Sequence, residues 1–430
     1  MISKLRAISD DKRRLLNNFF SLSVLHGANY LLPLITLPYL VRVLGAERFG
    51  LVAFAQAFIQ YFVVLTDYGF NLSATREISI HRDNKQKVSE IFCSVLLIKS
   101  VLMIVSFVIL SAIVFGFDKF RADWGIYYLT FGMVIGQVLF PVWFFQGMER
   151  MKYIAFLNIT SKLLFTILIF IMIRKASDYI YVPLVNSLGF VTAGILSLWI
   201  IFKNFRVNLI LPTTGSIKHQ LEDGWHIFIS SIAINLCTTS NTVILGIFTN
   251  NTIVGFYSAG DKIIRALVGL FEPLSQTVYP YISKLVSEST ENALIFVRKI
   301  AKGVGGLGLL ISLALFVFAP QVSNTILGKD FENSIVVVRI LSFLPFLIGL
   351  SNIFGMQTML TFGLKKTFTK ILVSGSIINV ILAVILVIPL KHVGVSIAVL
   401  AMEIYMTCSM YLNLRHNGLE IFSFQKIRLR

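Results

Sequence analysis

Ten charged side chains lie inside long apolar tracts of this chain: Arg42, Lys99, Lys162, Lys262, Arg265 and Arg339 against Asp67, Asp261, Glu272 and Glu403. A charge at the centre of a membrane helix costs about 2.5 to 3.5 kcal/mol even on lenient insertion scales, so such residues mark functional positions unless neighbours pair them. The bases could recognise an anion, and the acids could relay ions or protons. Covalent catalysis has no comparable signal. Gly303, Gly305 and Gly308 form GxGxxG, but the motif opens an apolar tract with no strand before it, so close helix packing explains it better than nucleotide binding. Neither GxxxxGK[ST] nor HExxH occurs, the histidines are scattered from His26 to His416, and Cys93, Cys237 and Cys408 show no metal-ligand spacing. No cofactor and no enzyme activity are expected.

Composition names the class of scaffold that must hold these charges. Hydrophobic residues make up 56% of the chain and charged residues 14%, whereas soluble proteins are about a quarter charged. The apolar tracts reach roughly 20 residues, as helices crossing about 30 Å of hydrocarbon require, and lack the alternation of barrel strands. The expected fold is an all-α polytopic membrane protein with twelve spans, at 17–43, 49–70, 91–116, 125–146, 153–173, 181–202, 225–249, 254–280, 303–320, 333–360, 371–389 and 394–414. The first is too long for a signal peptide and lacks a small-x-small cleavage site, so it reads as a retained helix. The organisation is then a segment 1–16, a six-helix bundle 17–202, a linker 203–224, a second bundle 225–414 and a tail 415–430.

The net charge of +17 would suit nucleic acid, but its distribution assigns it to the membrane. The termini and even-numbered connections hold 25 Lys and Arg, the odd-numbered connections 7. This bias places both termini and the linker in the cytoplasm, and no nucleic-acid partner is expected. No connection exceeds roughly 25 residues, which leaves no room for a soluble catalytic domain.

Two segments match at an offset of 205 residues, GLVAFAQAFIQYFVVLTDYG from Gly50 and GFYSAGDKIIRALVGLFEPL from Gly255. The offset pairs Gln56 with Asp261, Gln60 with Arg265 and Asp67 with Glu272, and carries span 1 onto span 7 and span 4 onto span 10. Six spans per half make the bundles parallel repeats, a recurrent transporter plan. Helical periodicity aligns Gln56, Gln60 and Asp67 in span 2, Asp261, Arg265 and Glu272 in span 8, Asn158, Lys162 and Thr166 in span 5, and Ser231, Asn235, Thr238 and Thr242 in span 7. These stripes either pack helices together, with Asp261 and Arg265 an i,i+4 ion pair, or line a wet cavity. Lys162 and Arg265 lie too deep for easy snorkelling, whereas Arg42, Lys99 and Arg339 are near enough to a surface for either role. Six bases against four acids make such a cavity net positive and suited to an anion, with the Tyr and Phe residues of 58–70 and 256–271 able to contact an apolar or sugar moiety. Pro33, Pro38, Pro141, Pro273, Pro280 and Pro345 fall within spans and are expected to permit kinks.

The run from Asn29 to Ser79 resembles the opening of the O-antigen flippases of the Wzx type, the polysaccharide-transport branch of the MOP exporter superfamily. The resemblance is most specific in LPYLVRVLGAERFG and DYGFNLSATREIS, and in the second half it is only architectural. It implies a MOP/MATE-like pair of bundles around a cationic cavity. It also implies an undecaprenyl-pyrophosphate-linked oligosaccharide as substrate, moved from the inner to the outer leaflet of a bacterial inner membrane and used in lipopolysaccharide biosynthesis. Membrane lipids, an O-antigen polymerase and a chain-length regulator would be partners. Arg42 and Arg76, in VRVLG and SATREIS, are the pyrophosphate contacts that the resemblance suggests; Lys162 and Arg265 rest on the physical argument, with Gln56, Gln60, Asp67, Asp261, Glu272 and Asn235 as polar or coupling candidates.

A multidrug or cation exporter of the related MATE branch would share this fold, but its substrate favours an acid-dominated cavity. A membrane glycosyltransferase or O-antigen polymerase would be expected to carry a large external loop or an acidic catalytic cluster, and the longest outer connection spans about 12 residues. The topology has a direct test. Reporter fusions at the C-terminus and within 321–332 should give opposite signals, and a periplasmic C-terminus would overturn the map.

Overall fold

The computed structural model describes the backbone of residues 2–421 and the side chains of 32–421, except 233, 234, 236, 237, 273, 274, 276 and 277. His26, Cys237 and the side chain of Pro273 therefore lie outside the described residues. Every regular element among those described is helical, since a helix is the open-ended element that satisfies all its backbone groups internally in lipid.

The chain forms two compact units, Met1–Asn235 and Leu236–Arg430. The first contains α1 (Ile2–Asp67), α2 (Phe70–His81), α3 (Lys85–Gly116), α4 (Asp118–Arg121), α5 (Trp124–Leu139), α6 (Val142–Gly147), α7 (Met151–Met172), α8 (Tyr181–Ile200) and most of α9 (Thr214–Thr238). The second holds α10 (Ser240–Phe248), α11 (Asn251–Val268), α12 (Glu272–Glu288), α13 (Thr290–Val317), α14 (Ala319–Ile326), α15 (Ser334–Leu341), α16 (Leu344–Asn352) and α17 (Lys365–His416). Residues 214–224 of the expected linker are thus helical, as the opening of α9.

Eight segments among the described residues are long and apolar enough to cross a membrane. Two of these, Leu32–His81 and Lys365–His416, each hold two expected spans, divided at Gly45 (φ 69) and Lys391 (φ 50). Gly45 adopts a conformation that a Cβ would oppose, so the chain reverses there without a loop. Spans 7 and 8 are interrupted, at Thr239 between α9 and α10 and at a 3-10 turn, Gly269–Phe271, between α11 and α12. Proline acts unevenly. Pro141 separates α5 from α6 and Pro345 opens α16, but α1 keeps helical dihedrals through Pro33 and Pro38, and Pro280 lies inside α12. The kinks expected at Pro33 and Pro38 give way to the break at Gly45.

Both units use one neighbour scheme, consistent with a repeat. In the first, span 2 meets span 4 through Phe54 and Tyr127, span 4 meets span 6 where Ser197 Oγ donates to Leu139 O at 3.0 Å, and span 1 meets span 5 through Tyr39 and Phe170. In the second, Ser334 Oγ donates to Phe256 O at 2.8 Å, Thr407 Oγ1 to Leu347 O at 3.3 Å, and Asn379 Nδ2 to Asn241 Oδ1 at 3.2 Å, joining spans 10 and 8, 12 and 10, and 11 and 7. Small residues make this approach possible. A Cβ on Gly132 would sit 2.6 Å from Ser187 Cβ, and one on Gly136 would sit 2.5 Å from the Phe190 backbone. Of the glycine motif in α13, Gly308 abuts the Phe346 backbone at 3.0 Å and Gly305 meets Leu350, so both serve helix packing, while Gly303 faces open space.

Overpacking such a contact typically costs about 1–3 kcal/mol. Gly136→Leu should therefore lower the unfolding temperature of the detergent-solubilised protein by several degrees, while Gly303→Ala leaves it unchanged. Equal melting of the two variants would show that the α5–α8 contact is looser than described.

Candidate functional site

In the first unit the long run of α1 keeps helical phase up to Asp67, so Gln56, Gln60 and Asp67 stay on one strip, all half-buried. Asp67 is not left to face the interior alone. Lys99 Nζ, reaching from α3, lies 3.4 Å from Asp67 Oδ1, and the Lys99 side chain is only 5% exposed. Lys99 is therefore no snorkelling anchor, and its pairing removes one charge from each side of the intramembrane count. The sequence placed Lys99 within reach of a surface, and only its partner on another helix reveals the role.

Lys162 lies half-buried on α7, a helix packed against α1 and α8, with Thr166 buried one turn on. Arg42 is exposed three residues before the break at Gly45. Arg76 is exposed on α2 and donates to Asp223 Oδ2 on α9 at 2.6 Å. Beside it Glu77 is buried, 2.6 Å from His219 Nε2 and accepting from Gln220. These α9 partners escaped the sequence reading because 203–224 looked like a connection and not a docked helix.

In the second unit the charges concentrate on α11. Residues Val254–Asp261, Ile263, Ile264 and Ala266 are buried, yet Lys262 is exposed and the Arg265 side chain is 41% exposed. Lys262 and Arg265 are thus accessible on a helix whose middle is enclosed by protein, and contact of such bases with lipid would be costly. Arg265 Nε donates to Asp261 Oδ2 at 2.6 Å and Nη2 to Thr238 O at 3.4 Å, so it is anchored at both ends of its guanidinium. Glu403 on α17, 8% exposed, shares the electrostatic field of Arg265, and its Oε2 has no hydrogen-bond partner among the described residues. Glu403 was counted among the buried acids of the sequence, but nothing in the spacing tied it to Arg265.

The 3-10 turn Gly269–Phe271 advances the chain by about 120° per residue in place of 100°, which shifts Glu272 from between Asp261 and Arg265 to about 40° beyond Arg265, and it is exposed at the start of α12. Asn235 turns its amide onto its own helix, donating to Ser231 O at 3.0 Å, as in the packing reading of span 7. Arg339 lies exposed over the Phe316 ring at 5.8 Å, an arrangement that suits a snorkelling base. A further polar cluster, in which Gln357 Nε2 donates to Ser275 Oγ at 2.7 Å and Ser275 Oγ to Asn352 Oδ1 at 2.7 Å, surrounds a seven-residue π-helical stretch, Ile353–Met359, that hydropathy alone does not announce.

Comparison with known proteins agrees with this architecture. Residues 15–286 match the family described as polysaccharide biosynthesis protein. A protein of Escherichia coli (strain K12), provisionally named an O-antigen transporter, is 35% identical over 96% of this chain and 99% of its own length. The fold is similar to that of the lipid II flippase MurJ in an inward closed conformation, with a TM-score of 0.77 at 12% identity over 91% of this chain and 87% of that one. It is also similar to an inward-facing multidrug resistance MATE family transporter of the MOP superfamily, with a TM-score of 0.68 at 15% identity over 90% and 95%. The chain belongs to the polysaccharide biosynthesis protein family, together with the O-antigen transporter of Escherichia coli to which it is similar along nearly its whole length.

Proposed function

We propose that this protein is a flippase that carries an undecaprenyl-pyrophosphate-linked oligosaccharide from the cytoplasmic to the periplasmic leaflet of the bacterial inner membrane, with both termini in the cytoplasm. The observation that carries the reading is the exposure of Lys262 and Arg265 on an otherwise buried helix of a chain whose relatives bear the names of O-antigen transporters. A pyrophosphate brings about two negative charges into a region of reduced dielectric, where attraction to a guanidinium far exceeds its value in water. Arg265 is held ready for this by Asp261 and Thr238, with two-fifths of its side chain accessible. Lys162 and Arg42 are further candidate anion contacts from the first unit. Arg76, already joined to Asp223, would have to release that carboxylate to contact a pyrophosphate.

Charge pairs that exchange partners are one way to couple substrate binding to alternating access. Asp261, Arg265 and Glu403 form such a set, because a substrate anion on Arg265 weakens its hold on both acids. The polymerase and the chain-length regulator follow from the same substrate, as consumers of the flipped unit.

Charge at residue 265 should therefore matter more than side-chain shape. In a flippase-deficient host, Arg265→Lys should retain much of the surface O-antigen, while Arg265→Ala and Arg265→Gln reduce it to near the host background at unchanged protein level. Combining Asp261→Asn with Arg265→Gln removes the uncompensated buried charge. If Arg265 binds substrate, the double variant stays inactive; normal O-antigen ladders from it would take Arg265 out of the binding site.

A further inference from the structure

At the α2–α9 contact of the first unit, one carboxylate oxygen each of Glu77 and Asp223 and one ring nitrogen of His219 lie within 4.8 Å of one another. His219 and Asp223 are one turn apart on α9 and project from one face, while Glu77 approaches from α2. The two helices are held close by glycine. A Cβ on Gly224 would sit 2.8 Å from Tyr68 O, and one on Gly69 would sit 2.8 Å from Ile227. We propose that Glu77, His219 and Asp223 form a binding site for a divalent transition-metal cation of the Zn2+ class, which braces α2 against the opening of α9.

Each carboxylate is already oriented by an outer donor on one oxygen. Gln220 Nε2 donates to Glu77 Oε2, and Arg76 Nη2 donates to Asp223 Oδ2 at 2.6 Å. This leaves Glu77 Oε1 turned toward His219 Nε2, 2.6 Å away, and Asp223 Oδ1 available. Outer hydrogen bonds that fix the ligand atoms in this way are characteristic of metal sites. Gln220 is 1% exposed, so the packing around it fixes the orientation it imposes on Glu77. Tetrahedral Zn2+ with bonds of about 2.0–2.2 Å holds neighbouring ligand atoms roughly 3.3 Å apart, so Glu77 Oε1 and His219 Nε2 need separate by less than about 1 Å. The His219 side chain is 58% exposed, which provides an entry path and a fourth position for water. One imidazole with two carboxylates suits Zn2+ better than Ca2+ or Mg2+, which take six or more oxygens.

The inference stands apart from the transport reading, and its test does not use transport. Tag-free, full-length protein in detergent is titrated with Zn2+ against a chromophoric chelator. The native protein should bind one Zn2+ at this site, with affinity falling about tenfold or more in His219→Ala and Asp223→Asn and unchanged in His416→Ala. Zn2+ should raise the unfolding temperature of the native protein and of neither ligand variant. Arg76→Gln keeps a donor for Asp223 but removes the positive charge that opposes the cation, so it should bind Zn2+ more tightly than the native protein. No Zn2+ binding by the native protein, equal binding by His219→Ala, or no tightening in Arg76→Gln would overturn the site and leave the cluster a set of ion pairs.

Discussion

A charge enclosed by apolar helices has to be paired, wetted or both, and in this protein Arg265 is held in both ways. It is bound to Asp261 on its own helix, lies in the field of Glu403 from α17, and keeps two-fifths of its side chain accessible. Phe256, Tyr257 and Ile264 are buried on the same helix, so it cannot rotate to relieve the charge without exposing them. The same constraint operates in the first unit with the opposite solution, because Lys99 is buried and answers Asp67. The first unit thus pairs one of its intramembrane bases inside the fold, while α11 of the second leaves two, Lys262 and Arg265, accessible.

The repeat gives this asymmetry meaning. The sequence offset of 205 residues sets Gln60 against Arg265 and Gln56 against Asp261, two amides in the first unit against an ion pair in the second. The neighbour scheme around both helices is shared, from the contacts of spans 2 and 4 to those of 8 and 10. The breaks differ too. Span 2 runs unbroken to Asp67, whereas span 8 stops at Gly269, directly after the charged turn, where a change of pairing could be passed to α12.

Much of this was legible in the sequence because hydropathy, charge bias and helical phase act locally. The class of fold, the Asp261–Arg265 pair and the packing role of Gly305 and Gly308 all follow from spacing within one element. What escaped was set between elements or by small changes of helix type. Lys99 gains its partner from a helix 32 residues away, Glu403 of α17 acts on Arg265 across more than a hundred residues of sequence, and three residues of 3-10 turn shift Glu272 along its helix face. The docking of α9 on α2 was hidden for another reason. Its polar composition reads as a cytoplasmic connection, and only the pairing of Arg76 with Asp223 and of Glu77 with His219 shows that it is fixed in place.

The central claim is that residue 265 faces water and not lipid. A single cysteine at 265, in a functional cysteine-free background, reports this through reaction with a membrane-impermeant thiol reagent, with a cysteine at the exposed, apolar position of Ile385 as the lipid-facing control. The account predicts labelling at 265 that a polyprenyl-pyrophosphate-linked oligosaccharide suppresses, and none at 385. Complete protection of 265 from both sides of the membrane, in every condition tested, would contradict it.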